Sequence, residues 1–239
     1  MNKSKFFEYE LNLISDLKLR EYAEKLIETF PDYFFEVPAS STGKYHPAYT
    51  LGNGGLYRHT RAVVGILENL FNLEQFPFTD REKMLLIIGA ISHDSLKSGK
   101  VKSQYTVKDH PQLAAQNIRE FNSTNDYQLS ESDLNFLCSA IESHMGQWGN
   151  PKPVTESEKM LHLADYLASR KNLEFLFPAN DEAVKASSEV PSDLVLPFGK
   201  YQGKLISEVV ASNRGYAQWM SENMKEPYRS IANKLLNPS

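Results

Sequence analysis

The chain has 239 residues, of which 41% are hydrophobic and 23% charged, a composition typical of a globular protein with one large domain, or one domain and a small addition. Its net charge of −4 excludes a general nucleic-acid coat. The lone cysteine, Cys138, excludes an internal disulfide and a cysteine-bound structural zinc, and it predicts a reducing, cytoplasmic location. We expect no membrane association, because the first residues lack the features of a signal peptide and the longest apolar run, residues 84–91, is too short to span a bilayer.

Helical periodicity dominates the first part of the chain. Apolar residues between Phe6 and Phe30 recur at helical spacing, with one weak turn at Glu10. Three prolines and four glycines in residues 31–57 then predict a long irregular loop, a kind of segment that often carries function. A helix is predicted over residues 56–71, with His59 on its inner, apolar face.

The next hundred residues contain further helical patterns and no alternating strand pattern. Helices are predicted at 80–94, 110–121, 130–144 and 155–171. The first of these is apolar on nearly all sides, which predicts a central position. Residues that cap helix N-termini precede three of them, namely Thr79, Ser130 and Thr155. The main body is therefore predicted to be all-α.

The chain ends in a small module of different character. Residues 178–193 are small and polar, which predicts a linker between a domain at 1–177 and a module at 194–239. Two glycines in residues 196–204 predict a hairpin or loop, and three short helices are predicted near 204–212, 214–224 and 227–236. The module has six basic and three acidic residues, a net charge of +3, so the preceding 193 residues carry −7. Either chance or attraction to an anionic ligand explains this asymmetry.

A series of histidines and aspartates has the residue types and order of a two-metal phosphoesterase site. Histidine and carboxylate ligands suit Mn, Fe, Co, Ni, Zn or Mg. At the centre are His93 and Asp94, which can reach the same ion if the helix ends at them, and Asp94 has one oxygen for each of two ions. Asp165 shares a helix face with apolar residues, and a metal would offset the cost of burying its charge. The full series is His59, His93, Asp94, His110, His144 and Asp165.

These residues and their surroundings resemble the HD-domain metal-dependent phosphohydrolases. His59, His93-Asp94 and Asp165 match the H…HD…D pattern of that family, and His110 and His144 match the two extra histidines of its binuclear branch. The stretches 143–148 and 158–165 are especially similar to the HD domains of bacterial 3′–5′ exoribonucleases. The resemblance covers roughly residues 50–172 and implies an all-α HD-domain helical bundle, with the C-terminal module α/β or α.

The resemblance also implies a cofactor and a mechanism. One divalent ion would be held by His59, His93, Asp94 and Asp165, and a second by Asp94, His110 and His144. The two ions (Mn, Fe, Co, Ni or Mg) would activate water and polarise the phosphoryl group. Lys97 occupies the position of a family lysine, which implies a contact with a phosphate oxygen; the alternative is a solvated lysine after a helix.

For several other residues the sequence allows two interpretations, one functional and one purely structural. Lys44 and His46 line the mouth of a substrate pocket or lie in a solvent-exposed loop. Trp148 stacks on a base or packs in the core. His162 supports the metal site or is a packed or surface residue. Cys138 lies on an apolar helix face and is predicted to fill the core.

Residues 196–204 resemble the PFGKYKG-type module at the end of some bacterial and phage exonucleases. In that module Lys200 would add charge and Tyr201 a stacking surface for a nucleic acid; the alternative is a docking or dimerisation element. We therefore expect a phosphohydrolase acting on nucleic-acid 3′ ends or, with the acidic body in its favour, on nucleotides such as mono- or cyclic dinucleotides. A non-catalytic nucleotide sensor on the same fold is the alternative of a different class. The sequence does not predict the oligomeric state.

Overall fold

The computed structural model describes residues 2–40, 43, 46–173, 193–196, 199–224 and 227–237. Within these residues it is all-α, as predicted, and none of the helices is both long and apolar enough to cross a membrane. The helices are α1 (Glu8–Asn12), α2 (Leu17–Glu28), α3 (Gly55–Leu70), α4 (Asp80–Ser92), α5 (His110–Thr124), α6 (Glu131–Ser143), α7 (Glu156–Ala168), α8 (Ile206–Ser212), α9 (Arg214–Asn223) and α10 (Tyr228–Leu236).

The first predicted helical segment is divided at a different place from the weak turn expected at Glu10. α1 ends at Asn12, and α2 begins after Asp16, whose side chain accepts hydrogen bonds from the backbone N–H groups of Lys18 and Leu19. This N-cap satisfies donors that a new helix leaves unpaired. Glu10 does not interrupt α1; its carboxylate is buried and lies 2.7 Å from the Arg61 side chain of α3. The capping residue Asp16, and not Glu10, therefore determines where the break between the two helices lies.

Helices α3 to α7 form the bundle that carries the candidate site. α4 packs against α3, α6 and α7, and every residue from Leu85 to Ser92 is buried, which confirms its predicted central position. Thr79 and Thr155 each form a complete capping box, with Glu82 and Glu158 respectively. Cys138 is fully buried in the same core, as predicted.

The chain approaches α3 through a tight backbone contact. Gly54 has a left-handed conformation, with φ of 71°, directly before the helix. A Cβ atom on Gly55 would lie 2.0 Å from the carbonyl oxygen of Thr50, an oxygen that accepts a hydrogen bond from the backbone N–H of Ala39. The chain at Pro38 and Thr50 is thereby packed directly on the first turn of α3.

The C-terminal unit has a small hydrophobic core of its own. Its buried residues come from α8, α9, α10, the segment before them and the residue that follows α9: Leu196, Ile206, Val209, Met220, Met224, Ile231 and Ala232. Val195 and Leu205 form an antiparallel bridge, which closes the predicted hairpin or loop between them. The predicted linker, apart from Asp193, lies outside the described residues, as do Pro197 and Phe198 of the exonuclease-like stretch.

Candidate metal centre

Five helices bring the predicted ligand series together. One histidine lies on the second turn of α3, Asp165 lies on α7, and the others lie at helix ends, where a side chain can leave the helix axis. His93 and Asp94 follow the last residue of α4, His110 is the first residue of α5, and His144 follows the last residue of α6. The four histidines and Asp94 are at most 1% exposed, and the side chain of Asp165 is 19% exposed.

Asp94 presents its two carboxylate oxygens to different histidines. Its Oδ1 lies 3.1 Å from Nε2 of His110 and 3.7 Å from Nε2 of His144. Its Oδ2 lies 3.5 Å from Nε2 of His93 and 4.0 Å from Nε2 of His59. The carboxylate thus divides the histidines into two pairs, one at each oxygen.

Asp165 lies beside the pair at Oδ2. Its Oδ1 is 3.0 Å from Nε2 of His59 and 3.7 Å from Nε2 of His93. Three groups of residues place their ligand atoms within 4.8 Å of one another, the separation needed to share an ion: His59, His93 and Asp94; His93, His144 and Asp165; and Asp94, His110 and His144. Both predicted ligand sets therefore have their members close together.

Backbone carbonyls orient three of the four imidazoles. Each Nδ1 lies 2.7 Å from the carbonyl oxygen three residues earlier: His93 from Ala90, His110 from Val107 and His144 from Ile141. Because a carbonyl only accepts, each Nδ1 carries a proton, and in the neutral ring Nε2 carries the lone pair. The Nε2 lone pairs then face the carboxylates. Metal-binding histidines are oriented by the same kind of outer hydrogen bond.

Burial keeps two of these histidines neutral. It lowers the pKa of His144 to about 3 and also lowers the pKa of His59. Burial acts in the same direction on His93, but the charge of Asp94 outweighs burial and raises the His93 pKa. A neutral imidazole is the form that binds a metal, so His59 and His144 are ready to act as ligands.

Both carboxylates remain ionised in spite of burial. Burial raises the pKa of Asp94, but the positive charges of Lys97 and His93 overcome it and hold that pKa well below its usual range. The pKa of Asp165 is lowered in the same way, since the hydrogen bond with His59 and nearby histidine charge outweigh burial. Two negative charges thus lie in the cluster. A divalent cation would be attracted to them.

Several buried atoms that converge on the site lack a hydrogen-bond partner or face another acceptor. Nε2 of His93 and Oδ1 of Asp94 are buried and have no hydrogen-bond partner among the described residues. Nε2 of His110 and Nε2 of His144 lie only 3.3 Å apart, with the proton of each ring at Nδ1. Facing lone pairs are costly in a protein interior and favourable around a cation. The donor set therefore fits divalent metals bound by nitrogen and oxygen.

The predicted phosphate-binding lysine lies against the central aspartate. Nζ of Lys97 is 2.5 Å from Oδ2 of Asp94, and the Lys97 side chain is 16% exposed. The backbone N–H of Val107 donates to the Lys97 carbonyl, which fixes the turn after the HD pair. Lys97 is therefore an ion-paired residue at the edge of the site rather than a solvated one. Its contact with phosphate stays a prediction.

The long loop before α3 brings His46 to the site. The ring centroids of His46 and His59 are 5.9 Å apart, and burial lowers the His46 pKa to about 4. His46 thus lies beside the site and not in a solvent-exposed loop, while Lys44 lies outside the described residues. A contact of either residue with substrate stays a prediction.

A buried arginine holds this loop in place. Arg58, 2% exposed, donates from Nε to the carbonyl of Tyr49, from one terminal nitrogen to Asn53 and from the other to Leu51. Its guanidinium thereby satisfies three carbonyls of the loop that leads to His59. The sequence does not single out Arg58, because a carbonyl-binding role leaves no pattern in residue types.

Trp148 lies on the surface near the site. It belongs to a short 3₁₀ turn after His144, its side chain is 61% exposed, and its ring lies parallel to that of Tyr166, with 5.9 Å between centroids. The core-packing alternative is therefore wrong for Trp148, and base stacking stays a prediction. His162 contacts the site indirectly, since its Nδ1 lies 2.7 Å from the backbone oxygen of His144.

Tyr166 and Arg170 were not singled out from the sequence, although they were recognisable there. Both follow His162 at intervals of four residues, which places the three side chains on one stripe of α7 and its C-terminal extension. The Arg170 guanidinium lies 4.4 Å from the centroid of the Tyr166 ring.

The predicted C-terminal contacts, Lys200 and Tyr201, lie in the small unit, with the Lys200 ammonium 5.4 Å from the Tyr201 ring centroid.

The fold is a helical bundle, and its buried cluster of histidines and aspartates could hold a divalent metal. Comparison with family models agrees: the HD domain matches residues 56–170, and the exodeoxyribonuclease X-like C-terminal model matches residues 196–225. Residues 56–170 therefore match the HD domain, which indicates a superfamily of metal-dependent hydrolases, and residues 196–225 match an exonuclease-like C-terminal module. Both predicted resemblances are confirmed. No curated protein and no solved structure matches the chain.

Proposed function

We propose that the protein hydrolyses phosphoester bonds of nucleic-acid 3′ ends or nucleotides with two divalent ions. The observation that carries the proposal is the division of the histidines by Asp94, with His110 and His144 at one oxygen and His59 and His93 at the other. A single carboxylate with a histidine pair at each oxygen is suited to holding two ions side by side.

The residues then divide into two ligand sets that share one member. The first ion would be held by His59, His93, Asp94 and Asp165, and the second by Asp94, His110 and His144. Mn, Fe, Co, Ni or Mg would suit these nitrogen and oxygen donors. When bound, the metal would supply Lewis acidity toward the phosphoryl oxygens and a lowered pKa for water.

The protein's own side chains would bind and orient the substrate. Lys97 lies at the border between the buried cluster and solvent, so its ammonium can turn from Asp94 toward a phosphate oxygen once the carboxylate is engaged elsewhere. His46 lies at the side of the cluster and is neutral near pH 7, because burial lowers its pKa to about 4. It could therefore donate or accept a hydrogen bond from a phosphate or sugar. Lys44, in the same loop, would add positive charge.

Nucleotide hydrolysis without a nucleic-acid role is the second candidate, because the first 193 residues carry a net charge of −7, which disfavours a long polyanion. A screen of mononucleotides, cyclic and linear dinucleotides and short single strands, each with Mn²⁺ or Mg²⁺, tests both candidates. We expect hydrolysis of at least one class, with product analysis showing which ester bond is cut. No hydrolysis of any substrate with metal present would instead support a nucleotide sensor.

Lys200 gives a test of the polymer substrate. We expect Lys200→Glu to weaken binding of a short single strand about 10-fold and to reduce the slope of log K against log salt by roughly 0.7, the value for one phosphate contact. Hydrolysis of a small chromogenic phosphodiester should not change. The matched control is Lys234→Glu, which changes the charge equally at an exposed position of α10. Equal effects of the two substitutions would contradict a specific contact at Lys200.

A further inference from the structure

Two exposed aromatic rings lie against each other beside the metal centre. Trp148 is 61% exposed and Tyr166 is 36% exposed. Their ring planes are within 10° of parallel, with 5.9 Å between centroids. Large aromatic rings usually bury most of their surface, so this pair leaves flat apolar surface open to solvent. We refer to Trp148 and Tyr166 as the aromatic pair.

The turn that carries Trp148 is held in place by three contacts. Gln112 of α5 donates to the carbonyl of Asn150, and Lys152 donates to the carbonyl of Gln147. Gly146 has φ of 57°, and a Cβ atom there would lie 2.1 Å from the ring of His162. The chain thus passes so close to His162 that only glycine fits. The aromatic pair is therefore formed in advance, with little ordering required on binding.

The pair is connected to the metal centre on both sides. Tyr166 directly follows Asp165, and the Nδ1 atom of His162 lies 2.7 Å from the backbone oxygen of His144. The His162 ring also contacts the pair, with its centroid 6.2 Å from that of Trp148. A ligand with a phosphoryl group at the metals could therefore extend a planar group to the aromatic pair.

The guanidinium of Arg170 lies beside this surface. The Arg170 guanidinium lies 4.4 Å from the Tyr166 ring centroid, and its Nε is buried without a hydrogen-bond partner among the described residues. The positive charge of this guanidinium would attract a planar ligand with hydrogen-bond acceptors to the pair.

We propose that Trp148, Tyr166 and Arg170 form a binding subsite for a nucleobase of the substrate, next to the phosphoester at the metal centre. A nucleobase has the required features, because it is planar and has ring nitrogens and carbonyl oxygens as acceptors. The inference rests on the proposed function for its substrate class. It adds the location of the base and assigns Arg170 a role in binding it.

The test compares two forms of one substrate. A short single strand is offered with normal 3′-terminal nucleotides, and with the last two nucleotides abasic. We expect Trp148→Ala to lower kcat/KM on the normal strand about 10-fold or more, since stacking of a base on an aromatic ring accounts for an effect of this size. The abasic strand should be cleaved by the variant as by the wild type. Trp148→Phe, which keeps an aromatic ring, should recover most of the loss.

Tyr9→Ala is the matched control, because Tyr9 is 50% exposed and contacts Glu68 at the other end of α3. It should change cleavage of neither strand. An equal loss on both strands in Trp148→Ala, or no loss on either, would overturn the subsite.

A direct measurement keeps the subsite testable if the wild type cleaves neither strand, an outcome that would count against a nucleic-acid substrate but not against nucleotide hydrolysis. The chain has two tryptophans, so Trp219→Phe leaves Trp148 as the sole indole fluorophore. We expect AMP to quench its fluorescence and ribose 5-phosphate to leave it unchanged. Quenching by both compounds or by neither would contradict a nucleobase subsite.

Discussion

Asp94→Asn should remove metal and activity together. The substitution keeps the volume of the side chain but removes the charge that faces histidines at both oxygens. Loss of an outer partner of a metal ligand commonly lowers affinity or activity 10- to 100-fold, so loss of a shared ligand should lower kcat/KM by more than about 100-fold. Elemental analysis of the purified variant should find little of the metal bound by the wild type.

Two further variants make the Asp94 experiment specific. His110→Ala removes a residue that lies only at Oδ1 of Asp94, so it should leave about half of the wild-type metal content. Asp80→Asn makes the same chemical change at the exposed opposite end of α4 and should alter neither metal content nor activity. Wild-type metal content in Asp94→Asn would contradict the shared-ligand assignment, and complete metal loss in His110→Ala would contradict two separable ions.

Gly55→Ala should destabilise the protein by more than about 3 kcal/mol. The added Cβ would lie 2.0 Å from the Thr50 carbonyl oxygen and 2.9 Å from Cα of Pro38, and both contacts involve backbone atoms that cannot rotate away. Moving Thr50 would also break its hydrogen bond from Ala39. Urea unfolding measures the free energy of unfolding, and failure to fold would be the extreme of the same effect.

Gly89→Ala is the matched control for this close contact. Alanine is favoured over glycine in a helix by about 1 kcal/mol at either position. At Gly89, however, the nearest contact would be Cδ1 of Leu137, 3.3 Å away at the end of a flexible side chain. We expect Gly89→Ala to stay within about 1 kcal/mol of the wild type. Similar effects of the two substitutions would show that the loop does not press on α3.

The helices of the bundle were predictable because local signals agreed with packing. The apolar run of α4 indicated a buried helix and is buried throughout, and Thr79 and Thr155 form the capping boxes that their sequences indicate. The division between α1 and α2 was misplaced, since apolar spacing continues across it while the cap at Asp16 decides where α2 begins. Periodicity reports the buried face, and capping residues determine the ends.

The members of the candidate site were predictable, but their mutual geometry was not. The order of histidines and aspartates indicates ligands, yet only the folded chain shows that Asp94 faces His110 at one oxygen and His93 at the other. The contact between Trp148 and Tyr166 joins a turn to a helix eighteen residues later. Such contacts depend on how α6 and α7 pack, which side-chain types alone do not specify.

The hydrogen bonds between three imidazole Nδ1 atoms and nearby backbone carbonyls also bear on how the protein binds its metal. Each ring is oriented by a carbonyl only three residues away, within one turn of chain, so its position does not depend on an ion. The bundle core that surrounds them is apolar. We therefore expect the apoprotein to keep the helical fold, with these three rings already oriented for a metal.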